Sequence, residues 1–101
     1  MTISTKISND GKELTIKVEG RFDFNAHREF RAAYEQAKSN STKFVVDMAE
    51  TDYMDSSALG MLLLLREKVG GDNANISIVK CKPEIRQIFD ISNFKHMFHI
   101  E

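Results

Sequence analysis

The apolar positions of this chain change period several times, and each change marks an element. Over residues 13–19, Leu14, Ile16 and Val18 alternate with Thr15, Lys17 and Glu19, the pattern of a strand with one buried face. Residues 3–8 precede it across Asn9-Asp10-Gly11-Lys12, and Asp-Gly between two extended runs predicts a hairpin. Gly20 closes the second strand. The spacing then becomes helical, with Ala26, Phe30, Ala33, Tyr34 and Ala37 on one side, Asn25 as the expected cap and the helix running to about Lys38. Ser39-Asn40-Ser41 breaks it. Phe44-Val45-Val46 shows no alternation, as expected of a strand covered on both faces. A second helix starts near Ser56 and stops at Gly70-Gly71. Asn75 to Lys80 alternates around Ile76 and Ile78, and Pro83 suits a first helical position. Glu84 to Ile91 forms a third helix with Ile85, Ile88 and Phe89 inward, and Phe98 to Ile100 a last short strand. Strands and helices alternate after the hairpin, which predicts a layered α/β domain with a mixed sheet, residues 1–101 forming one domain.

The helix from Ser56 carries apolar residues on two sides. At about 100° per residue, Ala58, Met61, Leu62, Leu65 and Val69 share one face and suit the core. Ser56, Gly60, Leu63, Leu64 and Glu67 share the opposite face, where two leucines have no evident reason to meet water. Either another helix covers them or they form a partner-binding face beside Ser56. One of the two serines, Ser56 or Ser57, is expected to cap the helix, with Asp55 favoured by its positive end. A phosphate is also at home at a helix N-terminus, so a serine there can carry about 1.5 to 2 added negative charges without straining the fold.

Composition narrows the function. The chain has 101 residues, 42% of them hydrophobic, with a formal net charge of −1, which argues against a nucleic-acid binder. No stretch approaches the roughly 20 apolar residues of a membrane span. The N-terminus MTISTK shows no secretory signal, and a lone cysteine, Cys81, suits a reducing compartment, so the expected location is the cytoplasm. A serine hydrolase would need G-x-S-x-G, whereas Met54 and Ala58 flank Ser56, and no feature brings His27, His96 or His99 to it as a base. No enzymatic activity and no cofactor are expected. His96, His99 and Cys81 make a weak metal pattern. Arg21, His27, Arg28 and Arg31 gather basic charge near the first helix, either as a solvated face or flanking the Ser56 surface.

Asp55-Ser56-Ser57-Ala58-Leu59-Gly60 resembles the signature of STAS domains, specifically the anti-sigma factor antagonists of bacteria. Gly20-Arg21-Phe22-Asp23, Phe44-Val45-Val46-Asp47 and the segment from Pro83 to Phe94 resemble the family's ordered flanks, so the likeness spans nearly the whole chain. It implies a single-layer mixed sheet of about five strands packed against three to four helices. It further implies a phosphoacceptor at Ser56, with Asp55, Ser57 and Asp23 supporting the switch and Gly60, Leu63, Leu64 and Glu67 meeting the partner. The implied partners are an anti-sigma factor or related serine kinase, bound when Ser56 is unmodified and released when it is phosphorylated, and a PP2C-type phosphatase that restores the first state. The protein itself is expected to be a monomer, and a constitutive scaffold or sensor subunit is the alternative. Short members of this kind fit roles such as biofilm or stress control. Asn93 stands where many relatives have glycine, and asparagine tolerates the left-handed turn that this implies.

Overall fold

The computed structural model describes residues 3–37 and 41–101. Strands β1 (Ile3–Ile7) and β2 (Glu13–Val18) form the expected antiparallel hairpin, in register Ile3↔Val18 to Ile7↔Leu14. Gly11 supplies the positive φ of 74° that the turn requires, and the Ser8 amide closes the loop on the Glu13 carbonyl at 2.9 Å. Leu14, Ile16 and Val18 are fully buried, as their alternation predicts.

From β2 the chain runs through strand β3 (Gly20–Phe22), a 3-10 turn over Phe24–Ala26 and helix α1 (His27–Glu35) to β4 (Lys43–Asp47). Strand β5 (Thr51–Met54) and helix α2 (Ser56–Lys68) lead on to β6 (Ile76–Val79), and helix α3 (Pro83–Ile91) to β7 (His99–Ile100). The main sheet has the order β1-β2-β4-β6-β7, with every pair after the hairpin parallel. Three successive parallel crossovers therefore step across the sheet in one direction. Right-handed connections made in that way set all three helices on the same face. The mixed sheet with its single helical layer is the predicted architecture.

That topology corrects one expectation. β4 is not covered on both faces: Phe44 and Val46 are buried toward the helices, while Val45 and Asp47 point the other way and are only half-buried. Two boundaries also move. Asn25 does not cap α1; the preceding 3-10 turn is capped by Asp23, whose carboxylate accepts from the Asn25 amide, and α1 ends at Glu35. Lys38, Ser39 and Asn40 lie outside the described residues. α2 and α3 match their predicted extents, Gly70 taking a φ of 139° just past the α2 end and Asn93 the left-handed φ of 62°. Val69 and Ile88, expected in the core, are half-buried against it. Phe98 precedes the last strand and stacks on Phe94 with ring centroids 5.3 Å apart.

The feature absent from the sequence reading is the pair β3–β5, a separate two-stranded parallel sheet with Arg21 opposite Tyr53 and Phe22 opposite Met54. The buried Thr51 ties it to the main sheet by donating from Oγ1 to the Val18 carbonyl at 2.8 Å. Each strand of this pair feeds directly into the turn that starts a helix.

Candidate functional site

Because β3 and β5 are parallel and Phe22 pairs with Met54, the next residues along each strand, Asp23 and Asp55, stand at neighbouring positions. Both aspartates are N-caps. Asp55 Oδ1 accepts from the backbone amides of Ser57 at 3.0 Å and Ala58 at 3.2 Å, and from Ser57 Oγ at 2.6 Å. The cap of α2 is therefore the aspartate and not a serine, which corrects the sequence expectation. A carboxylate is the better acceptor here because it can receive several donors at once and is favoured by the helix dipole. The Ser57 hydroxyl bond, above all, holds the Asp55 carboxyl below its ordinary pKa; partial burial opposes this and the two backbone amides reinforce it.

This arrangement divides the labour of the two serines. Ser57 is committed to Asp55. Ser56 is exposed, and among the described residues its hydroxyl makes no hydrogen bond. The same cap alters the expectation about phosphate. Two of the first three amides of α2 are already engaged by Asp55, so a phosphoryl group on Ser56 would not be absorbed by the helix end. It would stand in solvent, at the start of the exposed face of α2.

Asp23 is placed differently. It accepts from the Asn25 amide at 3.0 Å and from Arg21 Nε at 3.2 Å, and the Arg21 guanidinium lies 4.1 Å above the centre of the Tyr53 ring. Asp23 thus braces the 3-10 turn that leads into α1.

Along the outer face of α2, Ser56, Gly60, Leu63, Leu64 and Glu67 are all exposed, Leu63 by 37% and Leu64 by 55%, while Ala58, Met61, Leu62 and Leu65 are buried on the other side. Among the described residues no helix covers the leucines. Gly60 is more telling: a methyl group added there would meet nothing within 4 Å. Glycine inside a helix costs about 1 kcal/mol relative to alanine, and the packing of this fold gives no reason for it.

Of the basic residues near α1, Arg31 pairs with Glu35 at 3.2 Å, and His27 stacks on Phe24 with centroids 5.5 Å apart and planes 12° apart. Phe24 is 70% exposed, a feature that sequence reading missed because a lone phenylalanine after a strand looks like core. His27 and Arg31 line a groove between α1 and α2 that includes Leu64. His96 and His99 are exposed, with His99 against Glu101 at 3.2 Å; Cys81 is half-buried, and burial pushes its thiol pKa up. Among the described residues no group of three or more His, Cys, Asp or Glu side chains could hold a metal ion, and no helix is long and apolar enough to cross a membrane.

Comparison with known proteins gives this geometry its context. Residues 5–99 match the family model described as "Mlab, STAS domain". A STAS-domain containing protein of Pseudomonas aeruginosa (strain UCBPP-PA14) is 54% identical over 100 residues, covering 99% of each chain. An anti-sigma-B factor antagonist of Staphylococcus epidermidis is 27% identical over 86 residues, 84% of this chain and 80% of that one. Among solved structures, the Bacillus cell fate determinant SpoIIAA in its phosphorylated form superposes with a TM-score of 0.73 at 18% identity, covering 98% of this chain and 90% of that one. The antagonists among these relatives are regulators by name, not catalysts. With the fold, the strand-aspartate-serine-helix turn and the family match in agreement, this chain belongs to the STAS domain family.

Proposed function

We propose that this protein is a partner-switching regulator that binds an anti-sigma factor, or a related serine kinase, through the outer face of α2 and releases it when Ser56 is phosphorylated. The reading rests on one observation: α2 keeps on its exposed face a set of features that the fold does not use. These are the unbonded Ser56 hydroxyl, the packing-free Gly60 and the uncovered Leu63 and Leu64. Gly60 lets a partner backbone approach closely, the leucines give it apolar area, and Glu67 lies at the edge. Asp55 and Ser57 fix the helix start so that Ser56 is presented in one geometry, and Asp23 braces the adjacent turn.

A phosphoryl dianion brought against a desolvated apolar contact is strongly unfavourable, and near-complete switching needs a differential of about 5.5 kcal/mol. One phosphate in such a place is of the right order. Anti-sigma factor antagonists among the relatives, and a structural neighbour described in a phosphorylated form, support this reading. The protein would act as a monomer in the cytoplasm and would be a substrate of its kinase and of a PP2C-type phosphatase, with no catalysis of its own.

The test is phosphopeptide mass spectrometry of the protein recovered from its native cells. Phosphate localised to Ser56 in a fraction of molecules is the expected result. Its absence across growth conditions would turn the reading into a constitutive scaffold, with the face of α2 still its docking surface.

A further inference from the structure

Phe22 and Met54 turn inward from the β3–β5 pair and are buried, so the residues beside them on each strand face outward. Arg21 lies on that outer surface opposite Tyr53, and two contacts fix where its side chain goes. Its Nε donates to Asp23 Oδ2 at 3.2 Å, which draws the side chain forward, past the end of β3. Its guanidinium lies 4.1 Å above the centre of the Tyr53 ring, which draws it across to β5. Both displacements lead to the same corner. Asp23 and Asp55 stand side by side there, on strands about 4.8 Å apart, and Ser56 is the next residue along.

Two groups at that corner are unengaged. Arginine carries five N–H donors, and among the described residues only the Nε of Arg21 is used; its Nη groups make no hydrogen bond, and the side chain is 65% exposed. The other is the exposed Ser56 hydroxyl. A phosphoryl group on Ser56 would enter the field of two carboxylates, Asp23 and Asp55. Asp52 on β5 is paired with Lys82, the first turn of α2 contributes no acid, and His27 of α1 is stacked on Phe24. Repulsion from the two aspartates acting alone would raise the second phosphate pKa above its usual value of about 6 and leave the group partly monoanionic near neutrality. The amides of Ser57 and Ala58 do not offset this, because Asp55 already holds them. Arg21 is the cation placed there with donors to spare.

We propose that Arg21 is the intramolecular clamp of phosphorylated Ser56, its Nη groups donating to two phosphoryl oxygens while Nε keeps Asp23. The planar edge of a guanidinium matches two phosphoryl oxygens as a bidentate pair. The clamp deepens the partner-switching reading and rests on it. It keeps the phosphoryl group a full dianion at neutral pH. It also bridges the ends of β3 and β5, so the charge is held at the start of the exposed face of α2 instead of swinging away into water. The fold is spared, since neither the Asp55 cap nor the bond from the Asn25 amide to Asp23 is given up.

The experiment uses the full chain with phosphoserine incorporated at position 56 during translation, so no kinase is needed. Phosphorus NMR from about pH 4 to 8 follows the second phosphate ionisation in this protein and in its Arg21→Gln variant. The pKa is expected to be at least about half a unit higher in Arg21→Gln, and Arg21→Lys, which keeps the charge without the fork, is expected to recover part of the difference. The side-chain N–H signals of Arg21 are expected to shift when Ser56 is phosphorylated. Equal pKa values with and without Arg21, or unchanged Arg21 signals, would overturn the clamp. A rise in His27→Gln as large as that in Arg21→Gln would also overturn it, assigning the phosphate to the start of α1. These failures leave the Ser56 switch standing. Absence of phosphate from the native protein removes the switch whatever the titration gives, so the two failures are distinguishable.

Discussion

The starts of α1 and α2 are built on one plan and finished in opposite ways. In each, a short strand of the β3–β5 pair delivers an aspartate that caps the turn after it. Asp23 is bound to Arg21, which is itself stacked on Tyr53, and the residue after it is the large apolar Phe24. Among the described residues Asp55 pairs with no cation; its donors are two amides and the Ser57 hydroxyl, and the residue after it is Ser56, whose hydroxyl makes no hydrogen bond among them. One start is closed by its own side chains. The other is fixed by its capping bonds but leaves a free hydroxyl at the surface, the feature on which the proposed phosphorylation of Ser56 rests.

The largest expected effect separates the two starts by charge. Ser56→Asp should lower partner affinity by a hundredfold or more, whereas Ser56→Ala should bind as the unmodified protein does; titration calorimetry with the identified partner measures both. Equal affinity for the two folded variants would remove the functional difference between the starts. Next, Leu63→Glu should lower partner affinity at least tenfold while leaving stability to urea within about 1 kcal/mol. A large stability loss would instead make Leu63 part of the core. Gly60→Ala should move stability and function in opposite directions, raising the unfolding free energy by up to about 1 kcal/mol while weakening docking.

The caps sharpen the comparison further. Asp55→Ala removes two amide bonds from a helix of 13 residues, and should lower Tm by about 5 °C. Asp23→Ala opens only a 3-10 turn and a surface pair, and should lower it less. The Asp55 contribution is also pH-dependent in a fixed direction. Its folded pKa is depressed, chiefly by Ser57, so its stabilisation is complete above the ordinary carboxylate range and is lost as pH falls through the depressed value. Thermal melts of wild type and Asp55→Asn should therefore converge in acid and diverge toward neutrality. Smallest of all, Arg21→Ala should change stability by less than about 1 kcal/mol, since the Arg21 side of its pair with Asp23 is 65% exposed and Asp23 keeps its bond from the Asn25 amide.

Much of the site was legible before any fold was known. The two-faced distribution of leucines in α2 follows from helical geometry alone, and the exposed set Ser56, Gly60, Leu63, Leu64 and Glu67 is the set that the structure leaves uncovered. The capping residue was misassigned for a physical reason. Aspartate and serine are near-equals as caps, and the choice turns on which backbone leaves the strand region, where Asp55 sits at φ −119° and ψ −175°. The same ambiguity placed the α1 cap at Asn25 when Asp23 bonds to the Asn25 amide. Val45 read as doubly buried because an apolar run does not say whether a second layer exists above it.

By itself the sequence determined what is local: the hairpin at Asp10-Gly11, the amphipathic faces, the proline start of α3 and the left-handed turn at Asn93. These depend on side-chain period and on backbone preferences within a few residues. The tertiary structure alone decided the pairing of β3 with β5, whose strands of three and four residues lie some 30 positions apart and are too short to carry a period. That pairing sets Asp23 beside Asp55, runs α1 alongside α2 and opens the groove beside Leu64. A groove is a relation between surfaces that meet only when the chain closes, and no local preference encodes it.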